Sequence, residues 1–443
     1  MRLFVVVSST ILKNQKIVLL IVNTNYFNFL KTMKIVYVLS SNLVCGGHIV
    51  VLQHITRLAA RGYDVSICLL NDNIPASVDS FAWFPGFSSK VFHLKDFPNS
   101  VDICVATFWA TAFTVLKLPA KYKLYFVQSD ETRFYADERT KTQVLLTYLC
   151  KFHHMTEAKW IVQWLQENFG HTAEYIPNGL DEKIVYQVEP IEPKPKDKLR
   201  ILVEGSISSP FKRIKESLEA CQGLNCEVWC VSNDGKPSPD WQIDKFFYKV
   251  DFDTMKYIYS SCDILLKLSS VEGVFGPPLE MMACGGVCVV SDVTGYDEYI
   301  ENEYNALVVP NGDINLARSA LQRLISDQSL YLKLQKNGIA TAESIRWEKS
   351  IDKLELFFQK LINQKDRENY TNGNIAESFY QTLFKIPNND YLNIDLQQTN
   401  DVNALKENVL ALASQISAME SSKFWKLRKL WFKIKTKFGL SKE

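Results

Sequence analysis

The 443-residue sequence lacks the common signatures of metal and dinucleotide sites. It has six histidines, with no H-E-x-x-H or other spacing typical of a metal site. Its ten cysteines include no C-x-x-C pair. Most of them lie in apolar, strand-like runs, which is typical of buried, reduced thiols in a cytosolic protein. No G-x-G-x-x-G motif follows a predicted strand. The sequence therefore indicates neither a cofactor nor a metal.

The sequence also lacks a large net charge and a long apolar run. Its net charge is +1, but residues 423–443 hold eight basic residues and one acidic residue, leaving 42 basic and 48 acidic residues elsewhere. This acidic body is not expected to bind nucleic acid. The apolar stretches Leu3–Val7 and Ile17–Val22 are too short to span a bilayer. We expect residues 1–32 to be an N-terminal extension outside the folded domains. A wrongly assigned start codon is one explanation for this extension.

Apolar, strand-like runs alternate with helical segments along most of the chain. Hydrophobic residues make up 47% of the sequence, which is enough for two domains with their own cores. The alternation predicts parallel, doubly wound sheets. In the first half, the predicted strands are Lys34–Leu39, Asp64–Leu70, Lys90–Leu94, Val101–Thr107, Lys123–Val127, Trp160–Leu165 and Glu174–Ile176.

The prolines of residues 186–198 predict an extended linker between two Rossmann-like domains. The predicted domains span residues 33–185 and 198–362, and the last helix, 347–362, is expected to pack back across the first domain. A polar, Asn-rich flexible linker over 363–400 and a helical tail over 401–443 are expected to follow. The Asp251-Phe252-Asp253 triplet precedes a helical run, so Asp253 is interpreted as a helix N-cap instead of a metal ligand.

The stretch Ser270–Glu280 follows an apolar strand and contains glycines that permit a tight turn. Pro277 and Pro278 suit the first turn of a helix. This places Glu272 at the end of the strand and Glu280 in the first helical turn. Ligands of parallel sheets bind beyond the carboxyl ends of the strands, and helix starts favour phosphate. The alternative is an ordinary turn whose acids face water.

Glu272 and Glu280 are separated by seven residues and accompanied by Phe275-Gly276, Leu279 and a later Gly295-x-x-Glu298. This pattern resembles the E-x7-E signature of retaining glycosyltransferases of family 4, glycosyltransferase group 1, of the bacterial polysaccharide type. The resemblance covers residues 34–362. It implies the α/β GT-B fold, in which two Rossmann-like domains, an acceptor domain and then a donor domain, face a cleft.

The resemblance implies that Glu280 binds the ribose hydroxyls of a nucleotide-sugar donor and that Glu272 contacts its sugar. Family members hold the diphosphate with a Gly-Arg pair and a downstream Lys. Gly205 and Lys212 match this pattern, Ser206 replaces the Arg, and Arg213 can assist. Lys212 and the helix start are expected to neutralise the leaving diphosphate without a metal. The predicted catalytic residues are therefore Glu272 and Lys212, and the predicted donor-binding residues are Gly205, Ser206, Lys212, Arg213, Val274, Phe275, Gly276, Leu279 and Glu280.

In the first domain, Gly46 and Gly47 resemble the paired glycines of the family's first βα loop. Many relatives carry a His near the strand that ends at Val127, and this sequence has Gln128 there. We expect Gln128 and Asp130 to face the acceptor side of the cleft, with a solvated loop as the alternative.

The tail carries two apolar patterns. Residues 402–419 form a short heptad seam, which favours self-association. Residues 423–438 combine an apolar, aromatic stripe with a ring of cations, which is typical of a helix lying on an anionic membrane. Docking of this helix on the enzyme's own body or on a partner is the alternative.

The predicted function is a hexosyl or deoxyhexosyl transfer, with retention, from a nucleotide sugar to a glycan or lipid-linked acceptor in cell-surface polysaccharide biosynthesis. The predicted location is the cytoplasm, where the protein is expected to associate peripherally with the inner face of the plasma membrane. A catalytically weak GT-B scaffold or binding protein in a polysaccharide-assembly complex is the alternative. A sugar-nucleotide epimerase would need acid and base groups that the sequence does not reveal.

Overall fold

The computed structural model of this protein describes residues 33–363. The predictions for residues 1–32 and for the tail 401–443 lie outside the described residues, as does the predicted linker 363–400 apart from Asn363, which ends the last helix. Two wholly parallel sheets organise the described part. The first sheet has seven strands in the order β3-β2-β1-β4-β5-β6-β7. Its strands are β1 Lys34–Leu39, β2 Asp64–Leu69, β3 Lys90–His93, β4 Val101–Ala106, β5 Ala120–Val127, β6 His153–Thr156 and β7 Ala173–Tyr175.

The second sheet has six strands in the order β10-β9-β8-β11-β12-β13. Its strands are β8 Leu199–Glu204, β9 Cys226–Ser232, β10 Lys245–Tyr248, β11 Ile264–Lys267, β12 Val287–Ser291 and β13 Leu307–Val309. In each sheet the strand order reverses beside the first strand of that sheet, β1 or β8. This is the doubly wound arrangement in which ligands bind beyond the carboxyl ends of strands. The predicted pair of Rossmann-like domains is confirmed.

Helices cover both faces of each sheet. They are α1 Gly46–Ala60, α2 Trp109–Lys117, α3 Glu138–Tyr148, α4 Lys159–Phe169, α5 Ile214–Cys221, α6 Met255–Ser261, α7 Pro277–Ala283, α8 Ile314–Ser326, α9 Gln328–Ser344 and α10 Trp347–Asn363. Because the central strands are covered on both faces, every residue from Ile35 to Leu39 is buried. Within residues 33–363, no helix combines the length and the apolar character needed to cross a bilayer.

Two local predictions are wrong. Residues 160–165 form part of helix α4 instead of a strand. The strand of this region is β6, which begins with His153 and His154. The cause is a periodicity that the sequence analysis missed, because the buried residues of α4, Ile161 and Leu165, lie one helical turn apart. Asp253 is not the N-cap of α6, because a 3-10 turn carries the chain on to Thr254 before the helix begins.

Helix α10 packs across the first domain, as predicted. Its residues Asp352 and Glu355 pair with Arg61 of α1 at 2.8 and 2.6 Å. Arg57 of α1 pairs with Glu348 of α10 at 3.0 Å. It also pairs at 2.9 Å with Asp181, which lies in the segment that links the two sheets. These partly buried pairs tie the last helix and the crossover to one helix of the first domain.

A buried histidine lies beneath this junction. His54 of α1 is fully buried. The centroid of its ring lies 5.1 Å from the ring centroid of Phe126 and 5.8 Å from that of Trp347. Neither ring nitrogen has a hydrogen-bond partner among residues 33–363. Burial lowers the pKa of His54 to about 3, so the folded protein holds it neutral.

Replacing His54 with Phe should therefore reduce the loss of stability in mild acid. Below about pH 6.5 the unfolded chain protonates this histidine while the folded protein does not, so stability falls as the pH drops. At pH 5 this effect amounts to about 2 kcal/mol. Urea unfolding at pH 7 and pH 5 measures it, and H54F should show a smaller difference than the parent. An unchanged difference would mean that His54 is not held neutral in the fold.

Candidate functional site

The candidate site lies at the carboxyl ends of β8 and β11. Two loops meet there: residues 205–213, which follow β8, and residues 270–276, which follow β11. The backbone N–H of Ser270 donates to the carbonyl of Phe211 at 2.8 Å, so the loops run side by side. Gly205 adopts a φ of 150°, which only glycine takes readily, and turns the chain into the first loop.

The structure brings Glu272 and Lys212 together. The Nζ atom of Lys212 lies 2.7 and 2.9 Å from the two carboxylate oxygens of Glu272. Both side chains are mostly buried, with exposed fractions of 23% for Lys212 and 11% for Glu272. Burial opposes ionisation of Glu272, but the attraction of Lys212 and Lys267 outweighs it and lowers the pKa of this carboxyl. Glu272 is therefore ionised at neutral pH.

Lys267 is a second cation of the site, and the sequence analysis missed it. It is the last residue of β11, and its side chain is only 3% exposed. Its Nζ atom lies 2.8 Å from a carboxylate oxygen of Glu204 and 3.9 Å from one of Glu272. Burial disfavours the charge, yet these carboxylates raise the pKa of Lys267 above its usual value. A lysine within a buried strand is rare unless a carboxylate pairs with it. The position of Lys267 in an apolar strand was therefore the sequence signal that could have identified it.

Glu280 lies in the first turn of α7, as predicted. It faces the buried ring of Tyr259, which hydrogen-bonds to it. Burial and then repulsion by Glu204 raise the pKa of Glu280 to about 7, although Tyr259 and Lys267 act in the opposite direction. The two glutamates of the motif therefore differ in protonation, because only Glu272 has lysine nitrogens close to both of its oxygens.

The start of α7 offers fewer donors than the sequence analysis predicted. Pro277 and Pro278 occupy its first turn and have no N–H group. The N–H of Leu279 already donates to the carbonyl of Gly276 at 3.0 Å. The side chains of Phe275 and Leu279 are buried in the core, with exposures of 1% and 6%. Neutralisation of an anion here would therefore depend mainly on Lys212.

The remaining predicted donor-side residues lie around these loops. The hydroxyl of Ser206 lies 3.1 Å from that of Ser209 and 3.5 Å from a carboxylate oxygen of Asp234. The guanidinium of Arg213 lies against Gly312, so Lys212 is the residue of this basic pair that reaches Glu272.

On the first-domain side, Gln128 lies beside Gly47 at the start of α1, and Gly46 begins that helix. The amide nitrogen of Gln128 donates to the carbonyl of Thr107 at 3.2 Å, and its amide oxygen is buried without a partner among residues 33–363. Asp130 caps the short turn that follows, accepting from the backbone N–H of Thr132 at 3.1 Å.

First-domain residues close directly onto the Glu272 loop. Arg133 donates to the carbonyl of Glu272 at 3.0 Å and to the hydroxyl of Thr294 at 2.7 Å. The same guanidinium lies 4.7 Å from the ring centroid of Trp160. The indole N–H of Trp160 donates to the carbonyl of Gly273 at 2.9 Å. Arg133 and Trp160 follow β5 and β6, and the sequence analysis did not select them.

Two further carboxyls lie at this contact. Glu298 of the predicted Gly-x-x-Glu pattern accepts from the first domain, from the backbone N–H of Lys159 and the hydroxyl of Tyr175. Glu157, which the sequence analysis missed, accepts from Asn178 at 2.9 Å. Burial raises the pKa of Glu157 to about 8 against the effect of the Asn178 hydrogen bond, and Glu298 and Glu272 add repulsion. Glu157 is therefore largely protonated at pH 7.

The described residues contain no group of three or more His, Cys, Asp or Glu side chains placed to hold a metal ion. The candidate site presents the cations Lys212 and Lys267 beside the carboxylates of Glu272 and Glu204. Paired lysines and carboxylates suit the binding of a polyhydroxylated, anionic molecule.

Comparisons with known proteins show which proteins this chain resembles. Residues 245–341 match the family model described as glycosyl transferases group 1. An uncharacterized glycosyltransferase of Methanocaldococcus jannaschii is 23% identical over 46% of this chain and 58% of its own length. The O-antigen biosynthesis protein RfbC of Myxococcus xanthus is 22% identical over 57% of this chain and 20% of its own length. The chain thus spans less than two thirds of either relative.

Solved structures show the same fold. A sucrose-phosphate synthase from Thermosynechococcus elongatus superposes with a TM-score of 0.59 at 17% identity, covering 74% of this chain and 99% of that one. Anabaena HepE in complex with UDP-glucose gives 0.59 at 14% identity, covering 74% and 100%. The predicted GT-B fold and the resemblance to group 1 glycosyltransferases are confirmed.

Replacing Gly273 with Ala should force the two domains apart at this contact. A Cβ atom there would lie 2.1 Å from the carbonyl oxygen of Gln128 and 3.1 Å from the Glu157 carboxylate. The backbone shifts that relieve such overlap cost on the order of 1–3 kcal/mol. We expect a lower Tm and a larger radius of gyration by small-angle X-ray scattering.

The matched control is Gly46→Ala, because a Cβ atom at Gly46 meets nothing within 4 Å. It should leave both the Tm and the radius of gyration unchanged. If G273A behaves like this control, Gly273 does not contact the first domain in solution.

Proposed function

We propose that this protein transfers a sugar from a nucleotide-sugar donor to a glycan or lipid-linked acceptor, with retention, during assembly of a cell-surface polysaccharide. The observation that carries the proposal is the pairing of Lys212 with Glu272 at the ends of β8 and β11. It joins a diphosphate-binding cation to a sugar-binding carboxylate at the place where parallel sheets bind ligands. The similarity to an O-antigen biosynthesis protein supports the acceptor class.

In the proposed reaction, the diphosphate of the donor binds Lys212, and negative charge develops on it as the bond to the sugar breaks. A cation in a poorly solvated site stabilises that charge far more strongly than it would in water. Glu272 then lies beside the sugar, and Glu280 accepts hydrogen bonds from the ribose. Arg133 and Trp160 hold the Glu272 loop from the first domain, so domain closure completes the site.

A scaffold or binding protein with the same fold is the second candidate. The family resemblance implies an Arg at position 206 and a His near position 128, and the presence of Ser206 and Gln128 instead favours this candidate. Incubation with UDP-, GDP- and dTDP-sugars, with and without membrane extracts, separates the two candidates. Hydrolysis or transfer of any donor supports the enzyme, and its absence with every donor supports the scaffold.

Replacing Lys212 with Met, or Glu272 with Gln, should lower the turnover of the accepted donor by about 100-fold or more, because each change removes a charge that acts on the reacting groups. Glu343→Gln is the control, because Glu343 is an exposed carboxylate on α9 that lies outside the candidate site. Steady-state kinetics measure the effect. Equal rates in all three variants would contradict the proposal.

Donor capture should also depend on pH through Glu280. Its pKa of about 7 leaves it partly protonated at neutral pH, and only the ionised form accepts hydrogen bonds through both oxygens. We expect kcat/KM for the donor to rise with pH up to about 7 and then level off, since this parameter reports the free enzyme. Glu280→Gln should lower kcat/KM and remove that inflection. An inflection retained in E280Q would assign it to another group.

A further inference from the structure

We propose that Lys267 is a positioning residue that keeps Glu272 ionised and in place when the donor diphosphate draws Lys212 away. This inference rests on the proposed function and deepens it. Lys267 would not touch the donor. It would act through Glu272, as the cation that stays with this carboxylate in the donor complex.

The first step in the argument is competition for Lys212. In the structure, Lys212 binds both carboxylate oxygens of Glu272 at 2.7 and 2.9 Å. A diphosphate carries more charge than a carboxylate and is a strong partner for a lysine. A donor that recruits Lys212 would therefore take from Glu272 its two shortest contacts.

The second step is the cost of leaving Glu272 alone. Its side chain is only 11% exposed, and a buried carboxylate without a cation tends to take up a proton. A protonated Glu272 would carry no negative charge to offer the sugar. A second cation that cannot leave avoids this outcome.

The third step is the location of Lys267. It is the last residue of a central strand, its side chain is 3% exposed, and its Nζ atom lies 3.9 Å from Glu272. Glu204, the last residue of the neighbouring strand β8, holds the Nζ atom at 2.8 Å and also accepts from it through its backbone carbonyl at 3.2 Å. Lys267 is thus anchored below the loops, whereas Lys212 lies on the first of them.

Other titratable groups also face this cluster. From the first domain, Arg133 and Glu157 act on Glu272, and from the second domain, Tyr299 does. Glu280 acts on Lys267 from helix α7. The test must therefore show that Glu272 itself takes up any additional proton. A double variant that also lacks the Glu272 carboxylate shows this.

The experiment measures the protons taken up when the accepted donor binds. Calorimetric titrations at pH 7 in buffers of different ionisation enthalpy give this number for the parent and for Lys267→Met. In K267M, Glu272 loses its last lysine partner when the donor binds, so we expect additional uptake on the order of one proton per donor. The double variant E272Q/K267M should lose that additional uptake.

Lys194→Met is the matched control. Lys194 pairs with Asp263 at 3.1 Å at the opposite end of the same strand, away from the cleft, so K194M should match the parent. K267M could fold poorly because it leaves Glu204 unpaired. In that case the variant E204Q/K267M removes the unpaired carboxylate, and the same proton uptake is measured with it.

The outcomes are distinct. If no donor binds the parent, the proposed function fails, and this inference fails with it. If donors bind and K267M takes up no more protons than the parent, the inference alone is overturned. Additional uptake that persists in E272Q/K267M also overturns it, because the proton then goes to another group.

Discussion

The candidate site depends on one electrostatic constraint: a buried carboxylate remains charged when cations or hydrogen-bond donors beside it offset the loss of water. Glu272 meets this constraint through Lys212 on one loop and Lys267 on a strand end. The two lysines come from different parts of the chain. The loops after β8 and β11 must therefore stay side by side, and the hydrogen bond from Ser270 to Phe211 holds them there.

The same loop also joins the domains. The carbonyls of Glu272 and Gly273 accept hydrogen bonds from Arg133 and Trp160 of the first domain. The contact between the domains and the position of the Glu272 carboxylate are thus linked, because adjacent atoms of one short loop serve both. Glu298 adds a contact nearby by accepting from Lys159 and Tyr175.

Much of the fold could be predicted from local patterns. Apolar strands alternating with helices gave the two doubly wound sheets, and Pro277-Pro278 placed Glu280 in the first turn of α7. Prediction failed where a short apolar run suited either element, as at 160–165, because burial on a helix and on a strand selects the same residue types. It failed again at Asp253, where an intervening 3-10 turn moved the helix start.

The sequence by itself determined the order of elements, the turn between Glu272 and Glu280, and the presence of a cation at Lys212, since each depends on neighbouring residues. Only the tertiary structure decided what surrounds those glutamates. Lys267 meets Glu204 across 63 residues, and Arg133 meets Glu272 across 139. Such pairs form because parallel strands bring their carboxyl ends to one edge, and the spacing of residues along a single chain does not show which strand ends become neighbours.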